Sequence, residues 1–205
     1  MTAKKYGKTY SDYEIKNTAI KFNKENDIAA TKIGCVGTLE DEMETKTVTK
    51  KCEGRVVKSR TKGTGFGTIK ISAHINYDVY TRMYGMYFTE LAPGVFAYGK
   101  DSKHEEFTLM GEVYDEDDVK KLVAYPNCTV SSGKATKIEN GAEEVAEVEL
   151  EIAVCPNDYG FGKYEAIEEM LEDDNIKSKW MTSFSHDLVK ASDVVQTNSD
   201  DKAAA

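Results

Sequence analysis

Four sets of residues have types and spacings that bear on chemistry. Gly63, Gly65 and Gly67 form a Gly-x-Gly-x-Gly run that invites comparison with a phosphate-cradling loop. A dinucleotide site needs Gly-x-Gly-x-x-Gly after a strand and at the start of a helix, so that helix amides meet the pyrophosphate. Here the spacing differs and a strand pattern follows, so the run reads as a hinge. His74, His104 and His186 have no Ser, Cys or Asp at a family spacing. A triad is recognised by geometry rather than chain order, and nothing in this order requests one. Cys35, Cys52, Cys128 and Cys155 lie far apart without a Cys-x-x-Cys pair or a nearby His, which signals neither zinc nor a redox couple; four free thiols in a reducing cytoplasm are expected. No catalytic, cofactor-binding or metal-ligating residue is assigned.

Charge provides the fourth set. Lys50, Lys51, Arg55, Lys58, Arg60 and Lys62 cluster in one arm around a single Glu53, in a chain whose formal net charge is -9. A positive arm on a negative molecule favours head-to-tail contact between copies, where charge sets orientation and register. The plain alternative is a solvated loop whose lysines discourage edge aggregation. Nucleic-acid contact is a third, poorly supported because few aromatics interleave with the basic residues. Glu147, Glu149 and Glu151 alternate with apolar residues and form a row of carboxylates. Repeated around a ring, the row would line a channel and repel phosphate; on a single subunit it is a soluble outer face, and both readings stand.

The elements that must carry these residues are mainly β. At 205 residues and 40% hydrophobic side chains the chain can bury one core, as one domain with elaborations. Its acidity argues against coating nucleic acid through a basic face. Met1 to Lys5 has no signal-peptide character and no apolar run reaches membrane-spanning length, so no membrane association is expected. Residues 1–27 read as an N-terminal arm, 28–190 as a single β domain with an extended arm at 40–67, and 191–205 as a disordered tail.

Along the chain, Ile28 to Leu39 suggests a first strand, bent at Gly34 and Gly37. Thr45 to Thr49 and Arg55 to Thr61 flank Glu53-Gly54, so the arm reads as an extended hairpin. Thr68 to Ile75 alternates with Ile69, Ile71, Ala73 and Ile75 in phase. A helix capped by Asp78 follows, with Val79, Tyr80, Met83 and Met86 or Tyr87 on one face. Val95 to Tyr98, Phe107 to Tyr114 and Val119 to Tyr125 read as strands, the last two joined by an acidic tip at Asp115 to Asp118. Cys128 to Ile138 and Val145 to Val154 read as a hairpin through Glu139-Asn140-Gly141. Tyr164 to Leu171 reads as a short amphipathic helix, and Trp180 to Val189 is ambiguous between strand and helix.

Three stretches carry a resemblance to a known family: Gly63 to Met86, Val154 to Ala166 (VCPNDYGFGKYEA) and Trp180 to Phe184 (WMTSF). With the arm, they resemble the major tail proteins that build the tail tube of long-tailed siphophages. The resemblance implies an antiparallel β-sandwich or partial barrel with one packed α-helix and a long extended loop or hairpin. It implies hexameric rings that stack through the 40–67 arm into a tube, with DNA passing through the lumen unbound. The implied partners are copies of the chain itself, a tail-tip initiator, a tape measure and a tail terminator. The implied location is the virion tail, assembled in the host cytoplasm, with no enzymatic activity and no cofactor.

Two other classes compete. A ligand- or carbohydrate-binding β-sandwich would use Tyr77, Tyr80, Tyr84 and Tyr87 as a platform, although tyrosines at helical spacing are more often core. A tube of a phage-related secretion system shares the architecture. A hydrolase has no nucleophile elbow, metal signature or phosphate loop here to support it.

Overall fold

A computed structural model describes residues 5–24, 29–138, 140–141 and 143–191. In chain order the elements are β1 (Glu14–Phe22), β2 (Thr31–Lys32), β3 (Gly34–Cys52), β4 (Arg55–Ile75), α1 (Tyr77–Met83), β5 (Phe107–Tyr114), β6 (Lys120–Val130), β7 (Val148–Cys155), β8 (Tyr164–Ile167), α2 (Asp174–Ser183) and α3 (His186–Val189). The chain is mainly β. One antiparallel sheet runs β2-β1-β5-β6-β7-β4-β3, and β8 pairs with β6 off that path.

The sheet forks along β6. Its Lys121–Ala124 stretch pairs with β8 and its Asn127–Val130 stretch with β7. Pro126 stands between, where a residue with no N–H breaks no ladder bond. Its carbonyl is held by the Thr108 hydroxyl (2.9 Å) and the Asn23 amide (3.1 Å). The mainly-β open sheet agrees with the sandwich or partial barrel expected.

Side chains alternate between the two faces. Ile20, Phe22, Ile69, Ile71, Phe107, Leu109, Val123, Tyr125, Leu150 and Ile152 fill the larger core, closed by Val79, Tyr80, Met83 and Tyr84 of α1 and the residue after it. The intervening Ala19, Met110, Leu122 and Ala124 point the other way, onto Trp180 and Phe184. The second face is thus covered over β1, β5 and β6 by α2, whereas Lys70, Glu149 and Glu151 on β4 and β7 remain exposed. Three helices pack on the sheet, rather than the single one expected.

Several expectations shift. Residues 14–22, read as part of an N-terminal arm, form β1 inside the sheet; Asn17 at φ 51° marks a bulge between Lys16 and Ala19 that breaks the alternation a strand would show in sequence. Of the expected Ile28 to Leu39 strand, Ile28 lies outside the described residues and the rest is divided into β2 and the start of β3. Tyr164 to Leu171 is not a helix but β8 followed by a 3-10 turn at Glu168–Met170, because Tyr164 and Ala166 alternate onto the second core. Val95 to Tyr98 is not a strand. The 128–138/145–154 hairpin shortens to the ends of β6 and β7, with Asn140-Gly141 in a turn and Glu139 outside the described residues. The cap of α1 is Asn76, and Asp78 sits in the first turn. Only Ala191 of the expected C-terminal tail lies within the described residues.

Cys128 is fully buried in the larger core, and that burial pushes its thiol well above the usual range. Between the ordinary thiol pKa of about 8.5 and the raised folded value, the unfolded chain has released a proton the folded chain retains. The sign is therefore negative: stability falls by about 1.4 kcal/mol per pH unit above that point. Urea midpoints at pH 8 and pH 10 should show the loss, and Cys128→Ala should remove this share of the slope.

Candidate assembly surface

The arm is a regular two-stranded extension of β3 and β4. Glu53 (φ 48°) and Gly54 (φ 79°) make the two-residue turn with positive φ at both central positions, whose twist matches the flanking strands. Every residue from 44 to 63 is exposed, including Val48, Val56 and Val57 at 61%, 57% and 59%. The arm therefore gains no burial from its own domain.

Register sorts its side chains. Lys46 opposes Lys62, Val48 opposes Arg60 and Lys50 opposes Lys58, all on one face. Thr45, Thr47, Thr49, Ser59 and Thr61 occupy the other, where Thr47 Oγ1 and Thr61 Oγ1 share a hydrogen bond of 2.7 Å. An extra residue at Val57 shifts the last pairs, so Arg55 joins the cationic face; Lys51, in alternation with Thr45, Thr47 and Thr49, lies on the hydroxyl face. Of the arm cations singled out from sequence, Lys50, Arg55, Lys58, Arg60 and Lys62 come together and Lys51 does not. Lys46 belongs with them and was missed; the turn at Glu53-Gly54 fixes its partner, so counting back from that turn could have found it. Like charges directly opposite are destabilising. No ion pair among the described residues relieves them.

The arm joins the sheet through an irregular step between Met43↔Gly67 and Thr45↔Gly63, which leaves Thr64, Gly65 and Phe66 unpaired on β4. The Gly-x-Gly-x-Gly run is thus the root of the hairpin. Gly65 (φ 84°) packs under the 156–162 loop, close to Pro156 and Gly160. Asn157 shapes that loop: its Oδ1 accepts from the Tyr159 and Phe161 amides, both at 3.1 Å.

Glu147, Glu149 and Glu151 all lie exposed, on one outward face. Glu147 Oε2 accepts from the Ser72 hydroxyl at 2.8 Å and its carboxylate crowds Gly37. Glu151 and Glu40 flank Lys70 in register, and Glu149 and Thr38 flank Ser72. A groove of about 490 Å³ runs across this face.

A second recess, about 560 Å³, opens between β1 and β3. Its charges satisfy one another in a chain: Asp41–Lys163 (2.8 Å), Lys163–Glu165 (2.8 Å), Glu165–Lys121 (3.7 Å) and Lys121–Asp12 (2.5 Å). Burial acts to lower the Lys163 pKa, but its hydrogen bonds to Asp41 and Glu165 outweigh this and raise it. Burial, seconded by Asp12, pushes the Tyr10 phenol at its rim up to about 12.

The remaining candidates separate. Tyr80 and Tyr84 are buried, at 9% and 1% exposed, and only Tyr77 and Tyr87 reach the surface, edge-on to Phe96. The four-tyrosine platform of the competing ligand-binding reading is therefore not assembled. His104 lies between the Val130 carbonyl (2.6 Å) and the Tyr98 hydroxyl (3.2 Å), His186 meets the Tyr164 hydroxyl (2.8 Å) and stacks on Tyr159, and His74 is exposed. No group of three potential metal ligands gathers among the described residues. No helix among them is long and apolar enough to cross a membrane.

Fold and surface together define a mainly-β chain built around one projecting, two-faced cationic hairpin. No protein-family model matches the sequence, and no curated protein matches it. Among solved structures the chain is similar to the anti-feeding prophage cap, which terminates the AFP tube, determined by cryo-EM. The TM-score is 0.41 at 11% identity, over 82% of this chain and 98% of that one. A likeness of that size carries no argument about function.

Proposed function

We propose that this chain is a structural subunit of a phage-type tail, which assembles with copies of itself into stacked rings that form a tube. The observation that carries the reading is the hairpin over residues 44–63, exposed on every side and holding like charges opposite one another. A two-stranded ribbon is marginal alone in water, and this one has charge repulsion added; contact with a neighbour supplies both burial and counter-charge. The outer edge of β3, which among the described residues pairs only with β4, leaves a second row of backbone groups for a neighbour to complete. The resemblance of the Gly63 to Met86, Val154 to Ala166 and Trp180 to Phe184 stretches to siphophage tail tube proteins supports the same role. In this reading the rings are hexameric, the tube ends on initiator and terminator proteins, a tape measure sets its length, and DNA crosses the lumen without specific contact in the virion.

Removing residues 45–62 and joining Glu44 to Gly63 tests the reading. The variant should keep the thermal transition of the parent, because it loses no buried side chain. The parent should form rings or tubes in negative-stain images and fast-sedimenting species, and the variant should remain a monomer. Tubes of normal length from the variant would overturn the proposal.

A further inference from the structure

We propose that the bare outward face of β3, β4 and β7 is the seat for the cationic face of a second copy's hairpin. The inference rests on the self-assembly reading above and names its receiving surface. Three observations converge on this face. It is the half of the sheet's second side that α2 leaves uncovered, since Trp180 and Phe184 lie over β1, β5, β6 and β8, on Ala19, Met110, Leu122, Ala124 and Tyr164. It is grooved, with Thr38, Glu40, Lys70, Ser72, Glu149 and Glu151 around about 490 Å³. Its carboxylates on Glu40, Glu149 and Glu151 form no ion pair among the described residues, as do none of the cations Lys46, Lys50, Lys58, Arg60 and Lys62.

The repeat distances also agree. Glu149 and Glu151 are neighbours on one face of β7, and Lys58, Arg60 and Lys62 are neighbours on one face of β4. Both rows therefore repeat every second residue, about 6.8 Å along a strand. A strand laid on a strand keeps such rows in phase over their whole length. The recess between β1 and β3 is also acidic, but its Lys121 and Lys163 already bridge its Asp12, Asp41 and Glu165 carboxylates. Apart from Glu40, which both surfaces share, it offers the hairpin no carboxylate without an ion pair among the described residues. Occupied in this way, the Glu147, Glu149 and Glu151 row lies in a subunit interface and does not line an open channel.

Charge exchange in the full chain tests the pairing. K58E/R60E and E149K/E151K should each weaken self-association about a hundredfold in sedimentation velocity, and the fourfold variant should regain most of it. All four side chains are exposed, so melting temperatures should stay close to the parent. The neutral pairs K58Q/R60Q and E149Q/E151Q give a second measure, weakening association with no recovery when combined. Parent-like assembly of E149K/E151K, or a fourfold variant no better than its halves, would place the seat elsewhere and leave the self-assembly reading intact. A parent that stays monomeric at every concentration would overturn both.

Discussion

Trp180→Ala is expected to lower the free energy of unfolding by about 3–5 kcal/mol, the range for emptying a core of its largest side chain. Trp180 is 2% exposed and is the one buried residue of α2. It packs against Phe184 at 4.7 Å between ring centroids and donates from Nε1 to the Val123 carbonyl at 3.1 Å. The second core is small, with Ala19, Met110, Leu122, Ala124 and Phe184 buried and Tyr164, Leu171, Ile176 and Met181 partly buried at its margin, so the space would be refilled only in part. Because Trp180 is the only tryptophan, unfolding should be followed by circular dichroism in urea. Trp180→Phe keeps the packing and loses the indole donor, for a smaller loss of about 1–2 kcal/mol. A change below 1 kcal/mol for alanine would mean that α2 is held by something other than this side chain.

Gly162→Val should produce the second-largest effect, a loss of about 3 kcal/mol, the upper part of the range for overpacking. A Cβ at this position would overlap the Gly65 carbonyl oxygen and reach within 2.9 Å of the Met43 Cε. Backbone cannot yield as a flexible side chain can, so the clash must displace either the 156–162 loop or the root of the hairpin. Thermal melts should report the destabilisation, and sedimentation of the folded fraction should report weakened association, because the hairpin then leaves the sheet at an altered angle. Gly63→Ala is the control: nothing lies within 4 Å of the Cβ it adds, and its effect should fall within about 0.5 kcal/mol. An unaffected Gly162→Val protein would show that the loop does not brace the hairpin.

Much of the fold is legible in the sequence where the period-two signal is unbroken. Phe107 to Tyr114 is a strand with the bounds expected, and Leu150, Ile152 and Val154 face the core as their alternation requires. The hairpin turn is legible because Glu53-Gly54 supplies the conformations a two-residue loop demands. Legibility fails where a bulge or the tertiary context intervenes. The bulge at Asn17 hides β1, and β8 is misread because Tyr164, Ile167 and Leu171 mimic a helical spacing that only pairing with β6 overrides. At the surface, composition shows that the arm is basic but not that its charges share a face; that follows from register, which the extra residue at Val57 alters by one.

The two-residue alternation of the hairpin has a further bearing on how its length can vary. Inserting or deleting one residue on one strand turns every side chain beyond it over, exchanging lysines for threonines across the ribbon. Changes of two residues on each strand preserve the pattern. The arm is therefore constrained by parity: even steps on each strand keep its sidedness, while a single-residue indel between Thr45 and Lys62 disturbs it unless it is taken up in a bulge, as the extra residue at Val57 is.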